Sequence, residues 1–264
     1  MPDIENIRYF LLDMDGTIYL GDKLFSGTLP LLRRIREKNG RAVFLTNNSS
    51  ASPRDYIDKL KKLGIPAADG DVFTSGDAAA FALLRRFGAP PKVYLLGTPP
   101  LAAQLAEYGI RTVNESGETP DCVLLGFDKT LTYARLETAC RYLAAGLPYF
   151  ATHPDLTCPV EDGFIPDAGA IARLIEAATG RVPVVFGKPE STMAEAAIQK
   201  YGFAREEAAM VGDRLSTDIL FANNAGMAAI LVLSGETDLA AYRAQSAARA
   251  DFIYPSVAEL CAAL

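Results

Sequence analysis

The chain has 264 residues, half of them hydrophobic and 22% charged. That excludes a disordered or fibrous composition and fits one domain with a substantial insert, or two domains. Lys and Arg number 26 against 32 Asp and Glu, a formal charge of −6, and the basic pairs Arg33-Arg34, Lys61-Lys62 and Arg85-Arg86 sit in helical patterns, so nucleic acid is not an expected partner. With one histidine, His153, a histidine-rich zinc site is excluded, and no Gly-x-Gly-x-x-Gly or Walker-type loop occurs.

Taken in chain order, residues 9–13 form an apolar strand pattern. A helix over 29–38 is stopped by Gly40, and a second strand covers 42–46. Ser52-Pro53 opens a helix that ends at Gly64, and another helix covers 77–87. Strands over 93–96 and 123–125 follow, with helices over 100–108 and 132–145. The last third predicts strands over 184–186, 209–212 and 229–233, and helices over 191–201 and 217–224. Such alternation predicts an α/β fold, a Rossmann-like doubly wound parallel sheet with helices on both faces. Ala89-Pro90-Pro91 and Thr179-Gly180-Arg181-Val182-Pro183 read as linkers around an inserted smaller α/β domain.

Four strand ends carry the chemistry. Asp13-Met14-Asp15-Gly16-Thr17 follows the first strand, and open parallel sheets place their sites at carboxyl strand ends. Residues i and i+2 of an extended chain face the same way, so two carboxylates share one pocket. Like charges that close are costly unless a cation relieves them, and magnesium, a hard ion held by oxygen, suits that role. Thr46-Asn47-Asn48-Ser49 offers a hydroxyl, amides and backbone N–H groups to phosphate oxygens. Gly187-Lys188-Pro189 brings an ammonium, and Gly212-Asp213 with Asp218 brings further carboxylates. Each of the last three is weak alone, because such residues are ordinary in turns and on surfaces. Acid, hydroxyl, lysine and acid in that order suit phosphoryl transfer to a carboxylate.

These motifs together resemble the haloacid dehalogenase (HAD) superfamily of aspartate-nucleophile phosphatases. The Asp-Gly-Thr-Ile-Tyr-Leu-Gly run from Asp15, the Thr46-Asn47-Asn48-Ser49 stretch and the long gap before Lys188 resemble its NagD and 4-nitrophenyl-phosphatase branch. The resemblance implies Asp13 as nucleophile, Asp15 as general acid/base, and Lys188 steadying Asp13 and the phosphate. It implies Thr46, Asn47 and Asn48 as substrate-binding. It also implies a magnesium ion held by Asp13, the backbone carbonyl of Asp15 and Asp213, with Asp218 in support. The implied domains are a catalytic core over 1–81 and 182–264 and a substrate-selecting cap over 82–181.

In the cap, Ala151-Thr152-His153-Pro154-Asp155 resembles the family's Thr-Asn-Pro-Asp stretch, with His153 where asparagine is common. The stretch from His153 to Cys158 reads as a polar, proline-bounded loop. Both residues are candidate substrate contacts, set against the plainer readings of a satisfied loop histidine and an ordinary buried cysteine. The expected partner is a small phosphorylated metabolite. Its identity, and the oligomeric state (a homodimer included), cannot be read from the residues. A dehalogenase is disfavoured by Asp15, since breaking a carbon–halogen bond needs no acid. A silent regulatory module on the same fold is disfavoured by the intact Asp13, Asp15, Lys188 and Asp213, and a phosphotransferase stays open. Cys122, Cys140, Cys158 and Cys261 form no Cys-x-x-Cys pair, the first residues carry no basic region and no long apolar stretch, and the longest apolar run, 227–233, is too short for a bilayer. A reduced, cytoplasmic protein without a membrane partner is expected.

Overall fold

Tyr9–Leu12 is a four-residue apolar strand with its last three residues buried, and it stands near the middle of a six-stranded sheet. The computed structural model describes residues 2–114, 117–160 and 162–264. The strand order is Phe252–Tyr254, Ala228–Val232, Ala208–Gly212, Tyr9–Leu12, Arg41–Thr46, Val72–Thr74. Tyr9–Leu12 runs parallel to both of its neighbours, pairing Leu12 with Val211 on one side and with Phe44 on the other. From the first strand the chain moves outward one way through Arg41–Thr46 and Val72–Thr74. It later returns on the other side through Ala208–Gly212 and outward again. The order reverses between Tyr9–Leu12 and Ala208–Gly212, and a crevice at the carboxyl ends of such strands is where doubly wound sheets bind ligands.

A second sheet of five strands has the order Val184–Val185, Tyr149–Ala151, Cys122–Leu125, Lys92–Leu96, Arg111–Thr112, and every pair is parallel. The chain divides into two compact units. The first holds residues 1–46, 53–73 and 188–264, and the second holds 47–52 and 74–187. The first unit's core packs Ile7, Phe10, Leu12, Leu31, Ile35, Phe44, Val211 and Ile230. The second has an apolar cluster on each side of its sheet, around Leu95, Leu124 and Phe150 and around Leu96, Leu125 and Ala151.

The expected boundary at 81/82 falls inside the helix Ser75–Phe87. That helix opens on a capping box between Thr74 and Asp77 and ends on Gly88 in the left-handed region at φ 70°. Ala79, Ala80 and Leu83 pack in the second unit, so the whole helix goes with it and the division comes at 73/74. At the other end the division is at 187/188 rather than 181/182, because Val185 and Phe186 are packed into the second unit. The stretch from His153 to Cys158 is not one loop. His153 is wholly buried, while Cys158 lies half-buried on the hairpin strand Thr157–Val160, paired antiparallel with Gly163–Pro166. The helix expected over 217–224 is a π-helical turn at Leu215–Ile219 followed by the helix Leu220–Ala225. Among the described residues, no helix is long and apolar enough to cross a membrane.

Candidate active site

Asp13 comes directly after the strand Tyr9–Leu12, and Asp213 directly after Ala208–Gly212, on either side of the point where the strand order reverses. The wide turn at Leu215–Ile219 brings Asp218 back to them, where its Oδ2 accepts the Arg214 N–H at 3.1 Å. Asp13, Asp213 and Asp218 each offer an oxygen within 4.8 Å of the others. Lys188 Nζ donates to Asp13 Oδ1 and to Asp218 Oδ1, both at 2.6 Å, with the lysine side chain 2% exposed.

Asp213 is fixed from three directions. Thr17 donates its hydroxyl to Oδ1 at 3.3 Å, the Glu236 N–H donates to Oδ2 at 2.7 Å, and Gly16 backs onto the carboxylate. A Cβ at Gly16 would lie 2.6 Å from Asp213 Oδ2, and φ there is 84°, so both the space and the backbone demand glycine. The turn 234–236 is the part of the site that reading the sequence missed. Ser234 donates to the Gly16 carbonyl at 2.8 Å, and Glu236 Oε2 pairs with Arg214 Nε at 3.1 Å. The available signal was position, since this turn follows the strand Ala228–Val232 just as the acidic motifs follow theirs.

Burial pushes the Asp13 carboxyl up to about 8. Lys188 pulls the other way, while Asp218 and Asp213 push further up. Burial and then Asp218 raise Asp213 to about 6, against the Glu236 amide and Arg214. Desolvation alone would lower Lys188, but Asp13 and Asp218 outweigh it and hold the ammonium above its ordinary value. Three crowded carboxylates with one ammonium leave an excess of negative charge. An oxygen donor set under that strain fits a hard divalent cation.

Asp15 is exposed, and its carboxylate is not one of the three that converge. Desolvation raises it above the ordinary carboxylate value, opposed by Lys59 and Arg214. Thr46 ends the strand Arg41–Thr46 in the first unit, whereas Asn47 and Asn48 belong to the second. Asn47 donates its side-chain amide to Asp155 Oδ2 at 3.0 Å, and Asn48 Oδ1 accepts the Ser50 N–H at 2.8 Å. His153 is buried in the loop after Tyr149–Ala151, where its ring nitrogens meet Thr152 and Asp167 inside the second unit. The Cys158 thiol reaches the Pro159 carbonyl at 3.6 Å.

The family described as haloacid dehalogenase-like hydrolase matches residues 10–111, and a HAD-hydrolase-like family matches residues 185–260. The 5'-nucleotidase YutF of Bacillus subtilis (strain 168) is 33% identical over 234 residues, 89% of this chain and 90% of that protein. The 4-nitrophenylphosphatase of Thermotoga maritima superposes with a TM-score of 0.92 at 46% identity, covering 98% of this chain and 97% of that one. The glycerol phosphate phosphatase of Mycobacterium tuberculosis, solved in complex with magnesium, superposes with a TM-score of 0.89 at 33% identity, over 97% of this chain and 76% of that one. The chain belongs to the haloacid dehalogenase-like hydrolases. Its near structural neighbours are of the NagD and 4-nitrophenylphosphatase type, and like them it is a phosphomonoesterase.

Proposed function

We propose that the protein hydrolyses a small phosphorylated metabolite through a phosphoryl-enzyme on Asp13. The observation that carries this reading is the Asp13 carboxylate at the strand-order reversal, 2.6 Å from the Lys188 ammonium and beside Asp213 and Asp218. An Asp13 oxygen attacks phosphorus and the bond from phosphorus to the ester oxygen breaks. Asp15, whose carboxyl desolvation raises above its ordinary value, gives a proton to the departing oxygen. Water then attacks the phosphoryl group on Asp13, Asp15 takes a proton from that water, and inorganic phosphate leaves with the Asp13 carboxylate restored. Lys188 keeps Asp13 aimed and offsets charge on the transferring group.

Asp13, Asp213 and the Asp15 backbone carbonyl are the proposed holders of a magnesium ion, with Asp218 in support. A bound divalent cation supplies charge neutralisation for the phosphoryl oxygens. The mycobacterial relative's magnesium and calcium complexes support a divalent cation at a site of this type. Thr46, Asn47 and Asn48 are proposed to hold the phosphate. The second unit is proposed as the cap that discriminates leaving groups, with Cys158 and its hairpin as contributors. A glycerol phosphate is a reasonable first substrate, since relatives carry that name, and nucleoside monophosphates and aryl phosphates belong on the same panel.

The test is rapid-quench labelling with a radiolabelled phosphate ester, with and without chelator. Acid-stable label on Asp13 that turns over to inorganic phosphate is the expected result. Label on another residue, or full turnover in excess chelator, would overturn the assignment.

A further inference from the structure

A chain of buried polar groups runs through the second unit. The Phe127 N–H donates to Ser49 Oγ at 2.9 Å, and Ser49 Oγ lies 3.0 Å from Thr152 Oγ1. Thr152 Oγ1 lies 2.8 Å from His153 Nδ1, and His153 Nε2 lies 2.9 Å from Asp167 Oδ1. Asp167 Oδ1 also accepts the Ala168 N–H at 2.6 Å, at the start of the helix Ala168–Thr179. Ser49, Thr152 and His153 are all 0% exposed, so each hydroxyl hydrogen must find its acceptor inside the protein.

That requirement fixes the direction of the chain. A carboxylate only accepts, so His153 Nε2 carries a hydrogen toward Asp167. Suppose Nδ1 carried one as well. It would donate to Thr152, Thr152 would donate to Ser49, and the Ser49 hydrogen would find no acceptor among the described residues, because the remaining hydrogen-bond partner of Ser49 Oγ there is the Phe127 N–H, itself a donor. With Nδ1 bare, Ser49 donates to Thr152, Thr152 donates to His153, and every hydroxyl hydrogen in the chain is met.

We infer that His153 is held as the neutral Nε2–H tautomer and, through Thr152 and Ser49, positions the segment 47–52 rather than touching substrate. Further bonds fasten the same segment, from Asn47 to Asp155 at 3.0 Å, from Thr98 to the Ser50 carbonyl at 3.0 Å and from the Ser75 hydroxyl to the Asn47 carbonyl. The inference rests on the proposed function, in which Asn47 and Asn48 grip the phosphate. His153 would then act on phosphate affinity, a property shared by all substrates, and not on the choice among leaving groups.

The chain has a single histidine, so ring-nitrogen NMR of the whole protein reports His153 without assignment. At neutral pH the expected pattern is one protonated nitrogen at Nε2 and one bare, hydrogen-bonded nitrogen at Nδ1. An imidazolium or an Nδ1–H pattern overturns the inference whatever the enzyme's activity. The kinetic arm uses Thr152→Val, which keeps the shape and removes the relay. It should raise KM for 4-nitrophenyl phosphate and the inhibition constant of inorganic phosphate together, by about fivefold, with kcat changed less than about twofold. His153→Ala should behave alike, and His153→Asn, whose side-chain oxygen can accept from Thr152, should restore most of the affinity. Variants that leave phosphate inhibition unchanged and reorder organic substrates would make His153 a substrate contact and sink the proposal. In Thr152→Val the Nδ1 resonance must also shift, which separates loss of the relay from loss of the fold. Absence of phosphate release in the unaltered enzyme would count against the phosphatase reading, while the tautomer stands or falls on its own spectrum.

Discussion

The two parallel sheets are built on the same plan and end in opposite chemistries. In the first unit the central strand ends at Leu12 and hands over to Asp13, and its neighbour ends at Gly212 and hands over to Asp213. In the second unit Lys92–Leu96 hands over to Gly97-Thr98, Cys122–Leu125 to Gly126-Phe127, and Tyr149–Ala151 to Thr152-His153. Both sheets reverse strand order beside the strand from which each is built outward. One set of strand ends crowds carboxylates until burial and mutual repulsion raise Asp13 and Asp213, with a lysine clamped between two of the acids. The other closes a chain of two hydroxyls and one imidazole onto a single carboxylate, Asp167. The fold supplies a place at the strand ends, and the residues put there decide whether that place gathers carboxylates or closes a hydrogen-bonded chain.

The comparison breaks most visibly at Asp13. Asp13→Asn keeps the shape and removes the attacking oxygen's charge, so turnover should fall by at least about a thousandfold. No acid-stable phosphoenzyme should form on rapid quench. A normal burst in this variant would move the nucleophile elsewhere and leave the charged strand ends without their assigned purpose.

Lys188→Met ranks next. It removes the ammonium that Asp13 and Asp218 share, and breaking a buried pair by deleting one partner costs about 3–5 kcal/mol. The metal-free variant should melt well below the unaltered protein, and magnesium should recover part of the difference. A comparable melting loss in a variant of the second unit's core, such as Leu124→Ala, should show no such recovery. Equal rescue of both by magnesium would mean that the ion acts on the fold generally rather than on these carboxylates.

The third test uses pH. Carboxyls whose folded-state values are raised hold more protons folded than unfolded. They favour the folded protein below their unfolded value of 3.8 and cost it stability as pH climbs through about 6 for Asp213 and about 8 for Asp13. The metal-free protein should therefore melt lower at pH 9 than at pH 5. Magnesium competes with those protons, so the rise in melting temperature on adding it should be small at pH 5 and larger at pH 9. A magnesium effect that shrinks with rising pH would contradict the raised values.

What the sequence disclosed and what it hid follow the same division. Asp13, Lys188, Asp213 and Asp218 were legible because charged residues just after apolar strands are expensive to keep, and they fell at three strand ends. Their pairing was not legible, since Lys188 follows a strand of the other sheet and lies 175 residues along the chain from Asp13. In the second unit the strand Tyr149–Ala151 was hidden by its length of three residues, and Thr157–Val160 by Pro159 and a following Gly163 at φ 128°, features that read as loop. The boundary at 73/74 was hidden because the helix Ser75–Phe87 carries Ala78, Ala79 and Ala80, residues that suit either core. His153 could be noticed as a departure from the family stretch, but its burial depends on Thr152 and Asp167 packing against it.

The smallest expected effect sharpens the comparison from the other side. The hairpin of Thr157–Val160 and Gly163–Pro166 presents Phe164 at 75% exposure, and Leu156 just before it is also exposed. Exposed apolar side chains on a short two-stranded ribbon contribute little to the core, so Phe164→Ala should barely move the melting temperature. If the second unit discriminates leaving groups, that ring is suited to contact the organic part of a substrate. Loss of one such contact is worth about 1–3 kcal/mol, or roughly 5- to 150-fold in kcat/KM for the substrates that use it. Turnover of 4-nitrophenyl phosphate, which carries its own good leaving group, should change less, and inhibition by inorganic phosphate should not change at all. Phe164→Ala and Thr152→Val then form a pair: the first should reorder the substrate panel at constant phosphate affinity, the second should lower phosphate affinity at constant order. If Phe164→Ala scaled every substrate and phosphate inhibition alike, the hairpin would be acting on the phosphate grip, and specificity would lie in other residues of the second unit.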